Sequence, residues 1–150
     1  MTKTINISYC HCSLDELAAA DRQLVEAAFE ATRQAYAPFS GFRVGAAARL
    51  RSGEIITAAN CESEVFPSGL CAERSLLHYY ATNYATDPIE ALAIASDPSE
   101  RECYPCGACR QVILDAERRQ QSPIRIIMAG GGTATVVNSA KDLLPFTFRL

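Results

Sequence analysis

The first third of the chain changes from a helical to an alternating arrangement of apolar residues. Ser13 and Glu16 have the spacing of a capping box, in which a hydroxyl and a carboxylate satisfy free backbone amides at a helix start. Apolar residues then recur at nearly helical spacing until Pro38, which ends the run and predicts a helix before it. The apolar residues of this run are Leu17, Leu24, Val25, Ala28 and Ala35.

Two predicted strands follow, and a tight turn joins them. Apolar residues alternate over residues 42–50, with Arg43 and Arg49 near the ends of the run. Ser52 and Gly53 are typical turn residues, and a second strand-like run covers residues 54–60. The order of the two runs and the turn predicts a β-hairpin.

The rest of the chain alternates between predicted helices and strands. Helices between strands favour right-handed crossovers and a partly parallel sheet that is covered on both faces. We therefore predict an α/β fold with three layers, α/β/α, around a mixed, roughly five-stranded sheet. The predicted elements are a helix over residues 71–84, a strand over 91–95, a helix that has Pro105 in its first turn and runs to about residue 119, strands over 124–128 and 133–137, and a short helix from Ser139.

Length and hydropathy are those of one globular domain without a membrane segment. The 150 residues, 49% of them apolar, suit a single domain over residues 1–150. No apolar run approaches the roughly 18–20 residues of a membrane span, and the first residues lack the apolar core of a signal peptide. We therefore expect a soluble, cytoplasmic protein with no membrane partner.

The charge balance argues against a polynucleotide partner. The chain has 14 Lys and Arg against 17 Asp and Glu, a formal net charge of −3. A slightly acidic chain lacks the positive potential that long nucleic acids require. A small neutral substrate fits this balance better than a polyanion.

Three of the seven cysteines follow a pattern that is typical of a metal site. Cys71 precedes one predicted helix, and Cys106 and Cys109 lie at the start of another. Clustered cysteines without a secretion signal indicate metal ligands or catalytic groups, and helix N-termini favour the thiolate form that binds metal. Three thiolates leave one position of a tetrahedral zinc ion open for water, which is typical of a catalytic zinc site.

Charged residues stand next to these cysteines. Glu73 is two residues from Cys71, where a carboxylate can take a proton from zinc-activated water and return it to a substrate atom. Arg74 and Arg110 are placed to offset the negative charge of the thiolates by donating hydrogen bonds.

Other interpretations of the cysteines stay open. Cys103 is a candidate fourth ligand of a closed, structural zinc site. The spacing from Cys103 to Cys109 also imitates an iron–sulfur run, although Ile113 stands where the next cysteine is needed. Simple core cysteines are common, and residues 10–12, Cys-His-Cys, form a weaker candidate metal site.

Several segments match the pattern of a known family. Residues 35–47 read A-Y-A-P-F-S-G-F-R-V-G-A-A, residues 71–74 read C-A-E-R, and residues 105–112 read P-C-G-A-C-R-Q-V. Residues 143–148, L-L-P-F-T-F, match the family's ending. A Cys or His, any residue and Glu, followed later by P-C-x-x-C, is the pattern of zinc deaminases. The chain therefore resembles the cytidine deaminase family, in particular its short, homotetrameric branch.

The resemblance implies an activity and a metal site. It implies one zinc ion per subunit, bound by Cys71, Cys106 and Cys109. The implied reaction is hydrolytic deamination of cytidine and 2′-deoxycytidine to uridine and 2′-deoxyuridine with release of ammonia, a step of pyrimidine salvage. Glu73 would protonate ring nitrogen 3 and then pass a proton to the leaving amino group.

The resemblance also implies substrate-binding residues and a homotetramer. Asn60 and Glu62 would bind the ribose 3′-hydroxyl, and a site built around a hydroxyl rejects analogues that lack it. Phe42 would line the base pocket, although its place on an alternating strand also fits a core residue. Phe66 and Phe148 would contribute to the pocket of a neighbouring subunit.

Residues 60–66 depart from the family pattern. The family reads N-x-E-N-A-x-Y, and this chain has Ser63, Glu64 and Phe66 at the changed positions, with Val65 between them. Either Glu64 faces solvent, or its charge alters the pocket for a modified or cationic substrate. The open alternatives are therefore deamination of a modified cytidine or blasticidin-like nucleoside and, outside the enzymes, a non-catalytic zinc-binding module.

Overall fold

The computed structural model describes all 150 residues and has one six-stranded sheet between two layers of helices. The strands are β1 (Cys10–Ser13), β2 (Arg43–Leu50), β3 (Ile55–Ala59), β4 (Ile89–Asp97), β5 (Arg125–Gly130) and β6 (Thr133–Val137). The helices are α1 (Ala19–Ala31), α2 (Ala72–Asn83) and α3 (Gly107–Gln120). Short 3-10 helices cover Leu14–Glu16, Thr32–Gln34, Phe66–Ser68 and Ala140–Leu143. None of the helices combines the length and the hydrophobicity that a bilayer-spanning helix requires.

The sheet is mixed, as the sequence predicts. Its strand order is β1-β6-β5-β4-β2-β3, and β4 and β5 are its parallel pair. β2 and β3 form the predicted hairpin, with Gly45 opposite Ala59 and Arg49 opposite Ile55. The α/β class, the mixed sheet and the three layers are therefore confirmed.

The strand count is a correction, because six strands are present where the sequence predicts roughly five. The additional strand is β1, which pairs antiparallel with β6 from Cys10 opposite Val136 to Ser13 opposite Thr133. Four residues are too short a run for a clear alternating signal, and their partners lie at the other end of the chain. Long-range pairing of this kind leaves no local sequence pattern.

Small side chains form the face of the sheet beneath α1. A Cβ atom at Gly45 of β2 would lie 2.0 Å from the backbone oxygen of Ala28 in α1, so only glycine permits this close approach. β2 and the neighbouring strands also present small side chains in this layer, and these are all alanines. They are Ala47, Ala91, Ala93, Ala95, Ala129 and Ala134.

Large apolar side chains fill the layer on the opposite face. Burying one such side chain stabilises the folded state by about 1.5–3 kcal/mol, so this layer is a major source of stability. It packs α2 and α3 against the sheet and brings their first residues close together. The large buried residues here are Leu76, Leu77, Leu92, Ile94, Ile113, Leu114 and Ile126.

Two predicted helix starts differ from the structure. Glu16 accepts hydrogen bonds from Ser13 N at 2.8 Å and Ser13 Oγ at 2.9 Å, but these bonds close a 3-10 turn and α1 begins only at Ala19. The prediction that Pro105 lies in the first turn of its helix is wrong, because Cys106 is the N-cap residue of α3. Pro105 therefore fixes the backbone just outside the helix.

The loop before α3 is anchored to the end of β5. Cys103 N donates to Ala129 O at 3.1 Å, and Gly131 N donates to Ser99 O at 3.1 Å. A Cβ atom at Gly130 would lie 1.9 Å from the backbone oxygen of Arg101, so the loop rests directly on the strand. This attachment determines where the first residues of α3 are placed.

Candidate metal centre and adjoining cavity

Three thiols converge where α2 and α3 begin. Cys71 is the N-cap of α2, Cys106 is the N-cap of α3, and Cys109 lies in the first turn of α3. The Sγ atoms of Cys71 and Cys106 are 4.0 Å apart, and those of Cys106 and Cys109 are 3.3 Å apart. All three sulfur atoms lie within 4.8 Å of one another. The packing of the two helices thus brings together the cysteines that the sequence singles out.

The spacing of the three sulfur atoms fits a zinc ion. Tetrahedral zinc with Zn–S bonds of about 2.3 Å holds its sulfur ligands about 3.8 Å apart. Cys103 is outside this group and lies beside Ser96 instead. Burial, followed by the charge of Glu73, raises the pKa of the Cys103 thiol to about 11, which disfavours the thiolate. The donor set is therefore three thiols, which leaves one tetrahedral position for another ligand.

Cys71 and Cys109 have pKa values that are shifted in opposite directions. A hydrogen bond from Cys109 lowers the pKa of Cys71 to about 5, and Arg74 adds to this effect. The same contact with Cys71, together with burial, raises the pKa of Cys109. Without metal, Cys71 is thus ionised in preference to Cys109.

Glu73 is a buried carboxyl group in the first turn of α2. Only 3% of the residue is exposed to solvent. Burial is the main cause that raises the pKa of Glu73 to about 7, and the negative charge of Cys71 adds to it. A carboxyl group with such a pKa exchanges its proton near neutral pH.

The two arginines beside the trio have different contacts. Arg74 Nη2 donates to Cys71 Sγ at 3.5 Å, as the sequence predicts for a charge-offsetting group. Arg110 donates instead to Pro105 O at 2.9 Å and to Leu143 O at 3.0 Å. Arg110 therefore holds the backbone in front of Cys106 through hydrogen bonds, whereas the sequence predicts a hydrogen bond from Arg110 to a thiolate.

A cavity of about 460 Å³ opens next to Cys71. Its lining includes Arg74, Asn60, Glu62 and Phe66. The Nε atom of Arg74 is buried and has no hydrogen-bond partner within the chain. Buried polar groups are normally paired, so this atom is an exception within the chain.

Asn60 and Glu62 are both held by the segment that leads into β2. Asn60 Oδ1 accepts from Val44 N at 2.8 Å, and Asn60 Nδ2 donates to Phe42 O at 3.0 Å. Glu62 Oε2 accepts from the backbone N–H groups of Phe39 and Ser40 at 2.8 and 3.3 Å. Glu62 Oε1 accepts from the Ser40 hydroxyl. These bonds fix both side chains at the cavity wall.

The three predicted phenylalanines lie in different places. Phe66 lines the cavity of its own chain and packs edge-on against Phe39, with ring centroids 5.7 Å apart. Phe42 lines a second cavity, of about 930 Å³, together with Cys103. Phe148 lines neither cavity and is 71% exposed, on the segment after Leu143.

The residues that depart from the family pattern lie at the rim of the first cavity. Ser63 is part of its lining, and the Ser63 hydroxyl accepts from Val65 N at 3.1 Å. Glu64 is exposed and does not line the cavity. Within one chain, its charge therefore lies outside the cavity wall.

Residues 10–12 do not form a second metal centre. Cys71, Cys106 and Cys109 are the only group of three close metal-ligating side chains in the chain. His11 Nδ1 instead lies 3.3 Å from Thr135 Oγ1 and 3.3 Å from Glu102. The weaker candidate metal site is therefore not supported.

Ser40 is a cavity residue to which sequence reasoning assigns no role. Its hydroxyl touches Glu62 and the backbone of Phe42. Ser40 stands within the matched segment 35–47, and that position was the available signal. Its partner Glu62 is 22 residues away, so no local spacing connects the two.

Comparisons with known proteins agree with this geometry. The profile of the family described as "Cytidine and deoxycytidylate deaminase zinc-binding region" matches residues 18–122, more than half of the chain. A cytidine deaminase from Halalkalibacterium halodurans is 40% identical over 96 residues, which are 63% of this chain and 71% of that protein. The blasticidin-S deaminase of Bacillus cereus is 33% identical over 134 residues, 85% of this chain and 91% of that protein.

Solved structures show the same fold. The crystal structure of cytidine deaminase from Burkholderia pseudomallei matches with a TM-score of 0.71 at 34% sequence identity. The match covers 84% of this chain and 97% of that chain. The family profile spans all three cysteines of the trio as well as Glu73. The chain therefore belongs to the family of zinc-dependent cytidine and deoxycytidylate deaminases.

Proposed function

We propose that the protein hydrolytically deaminates cytidine and 2′-deoxycytidine, giving uridine and 2′-deoxyuridine with release of ammonia. The observation that carries this proposal is the trio of thiols beside the buried carboxyl group of Glu73. The adjoining cavity of about 460 Å³ has the size of a small-molecule site. Relatives named cytidine deaminase support a nucleoside as the substrate.

Cys71, Cys106 and Cys109 hold one zinc ion per subunit in this proposal. Zinc with three protein ligands activates a water molecule by lowering its pKa toward about 7. The hydrogen bond from Arg74 to Cys71 Sγ stabilises the thiolate form of that ligand. The bonds from Arg110 to Pro105 O and Leu143 O keep the N-terminus of α3, and with it Cys106, in place.

Glu73 carries the protons. Its burial excludes bulk water, so a proton on its carboxyl group is transferred within the site. The carboxylate takes the proton that the attacking water gives up and delivers it to ring nitrogen 3, which makes ring carbon 4 more electrophilic. It then takes the second proton of the water and passes it to the amino group, which leaves as ammonia.

Asn60 and Glu62 bind the sugar. After its bonds to Val44 N and Phe42 O, Asn60 keeps one amide hydrogen and one oxygen lone pair. Glu62 already accepts three hydrogen bonds, and a carboxylate has about four acceptor sites. One hydroxyl group that donates to Glu62 and accepts from Asn60 matches the remaining capacity, which favours the 3′-hydroxyl of a nucleoside.

The proposal includes a homotetramer in which residues of neighbouring subunits complete each site. The high exposure of Phe148, together with its absence from the linings of both cavities, supports a role toward a neighbour's pocket. Phe66 is 73% exposed and reaches the surface from its own cavity. A cytoplasmic, reducing location suits a protein whose seven cysteines are all free.

Ammonia release by the zinc-loaded protein tests the proposal. We expect turnover of cytidine and 2′-deoxycytidine, and a loss of at least about a hundredfold in kcat for Glu73→Gln, which removes the proton carrier. Zinc content measured on the same samples separates loss of chemistry from loss of metal. Retained turnover in Glu73→Gln would contradict the role of Glu73. A zinc-loaded wild-type protein without turnover would favour a non-catalytic zinc-binding module.

A second candidate substrate is a blasticidin-like or otherwise modified aminopyrimidine nucleoside. The similarity to the blasticidin-S deaminase of Bacillus cereus favours it. Blasticidin S and an N4-modified cytidine therefore belong in the same assay. If they turn over and cytidine does not, the chemistry stands and the nucleoside assignment changes. The Glu64→Ala variant then shows whether the charge of Glu64 selects the substrate.

A further inference from the structure

Ser40 connects Glu62 to the start of β2. The Ser40 hydroxyl donates to Glu62 Oε1 and accepts from the backbone N–H group of Phe42 at 3.0 Å. The other carboxylate oxygen, Oε2, accepts from the backbone N–H groups of Phe39 and Ser40. Both oxygens of Glu62 are therefore held by one short loop, and Ser40 provides the only side chain among the donors.

The only proton of the Ser40 hydroxyl is donated to Glu62, so this side chain has no further hydrogen to offer. A serine hydroxyl has one proton, and here that proton points to a carboxylate, which makes the hydrogen bond a strong one. The bond is also the largest cause of the lowered pKa of Glu62. Ser40 thus acts on the oxygen of Glu62 that has a lone pair left for a ligand.

Orientation of the carboxylate depends on this bond. The terminal torsion of a glutamate side chain is broad, so a carboxylate held only through one oxygen can rotate. Without the Ser40 hydroxyl, the backbone donors of Phe39 and Ser40 would hold only Oε2. The free lone pair of Oε1 would then have no fixed direction toward the cavity that Glu62 lines.

We propose that Ser40 is a positioning residue for sugar recognition: it orients Glu62 so that Oε1 accepts a hydrogen bond from the 3′-hydroxyl of the nucleoside. This inference rests on the proposed function and deepens its account of substrate choice. Ser40 acts through Glu62 and leaves proton transfer at Glu73 untouched. Its effect therefore falls on KM and on discrimination between sugars, while kcat for the normal substrate changes little.

The test compares cytidine with 3′-deoxycytidine, which lacks only the hydroxyl in question. The kcat/KM for cytidine divided by the kcat/KM for 3′-deoxycytidine measures how strongly the site recognises that group. We expect Ser40→Ala to lower this ratio about tenfold, the effect of one charge-assisted hydrogen bond. Ser40→Thr keeps a hydroxyl and should restore the ratio. Ser40→Cys, whose thiol is a weaker donor, should lower it as well and serves if Ser40→Ala does not fold.

Ser63 offers a matched control in the same cavity. Like Ser40, Ser63 lines the cavity and accepts from the backbone N–H group two residues later, but it has no bond to Glu62. Ser63→Ala should leave the ratio unchanged. In a Glu62→Gln background, Ser40→Ala should cause no further fall, because Ser40 acts through Glu62.

Several results would overturn the inference. They are an unchanged ratio in a folded, zinc-loaded Ser40→Ala variant, an equal fall in Ser63→Ala, and a full further fall in the Glu62→Gln background. In each case wild-type turnover of cytidine leaves the proposed function intact. If the wild type deaminates neither nucleoside, the proposed function and the inference about Ser40 fail together.

Discussion

Arg74 Nη2 lies 3.5 Å from Cys71 Sγ, one turn further along α2. The guanidinium therefore contacts a thiol whose pKa is lowered to about 5 by a hydrogen bond from Cys109 and, in part, by this same contact with Arg74. Three thiolates carry more negative charge than a zinc ion neutralises, so a cation in this position stabilises the loaded site. The contact supports the proposed role of Arg74 as a residue that stabilises a metal ligand without being one.

Replacing Arg74 should weaken zinc binding. We expect Arg74→Ala to lower zinc affinity by about tenfold to a hundredfold, because groups that support metal ligands typically have effects of this size. Competition with a chromophoric chelator measures the affinity. Arg33→Ala is the control, since Arg33 is exposed and its contact is a surface ion pair with Glu30. Equal affinities for wild type and Arg74→Ala would refute this role.

Removing Cys103 should leave the zinc content intact. Cys103 is not among the three close thiols, whereas Cys106 is. We expect about one zinc per chain in Cys103→Ser and a large loss of bound zinc in Cys106→Ser, since a site with two thiolates is incomplete. Elemental analysis of the dialysed proteins measures this. Loss of zinc in Cys103→Ser would instead support a closed, structural zinc site in which Cys103 is the fourth ligand.

Adding one methyl group at Gly45 should destabilise the fold. The new Cβ atom would lie 2.0 Å from the backbone oxygen of Ala28, so α1 would have to move away from β2. We expect Gly45→Ala to lower the free energy of unfolding by about 3 kcal/mol, the upper range for overpacked sites. Urea denaturation measures it. Gly107→Ala, where no atom lies within 4 Å of the new Cβ, should cost nothing.

Acid should remove the contribution of the Thr133–Glu102 hydrogen bond to the stability of the fold. A hydrogen bond from the Thr133 hydroxyl is the main cause that lowers the pKa of Glu102 below its ordinary value of 4.5. A carboxylate with a depressed pKa stabilises the folded state above its unfolded pKa, and this contribution is lost as the pH falls through the folded pKa. The difference in Tm between wild type and Thr133→Val should therefore narrow from about pH 6 to about pH 3.

An exposed threonine provides the comparison for this pH series. Thr57 lies on β3 and has no hydrogen bond to a carboxylate. The difference in Tm between wild type and Thr57→Val should stay constant over the same pH range. A constant difference for Thr133→Val as well would mean that the hydrogen bond from Thr133 to ionised Glu102 does not stabilise the folded state.

Local patterns predict most of the fold and the convergence of the three cysteines. The alternation over residues 42–50, the turn at Ser52 and Gly53, and the strand-like run over 54–60 predict the hairpin. The cysteines at two helix starts predict that the helices bring them together. Both signals depend on residues that are close in sequence or on a fixed spacing within a helix. That residues 1–150 form one domain stays a prediction, which the shared sheet between both core layers supports.

The features that escaped prediction all depend on contacts between distant segments. β1 exists because Cys10 and Val136 pair across the chain, and the role of Ser40 depends on Glu62. The start of α3 was misplaced because proline is common in a first turn, while Cys106 serves as the N-cap here. In each case tertiary packing selected one of several locally acceptable arrangements.

The four residues of β1 have a protective consequence. β6 reads Thr-Ala-Thr-Val-Val, a segment rich in β-branched residues, and β1 occupies the edge that β6 would otherwise present. An exposed edge of this composition is a template on which other chains can add as strands. A protein shortened to begin after Ser13 would keep its metal centre and its cavity, yet it would aggregate through the uncovered backbone of β6.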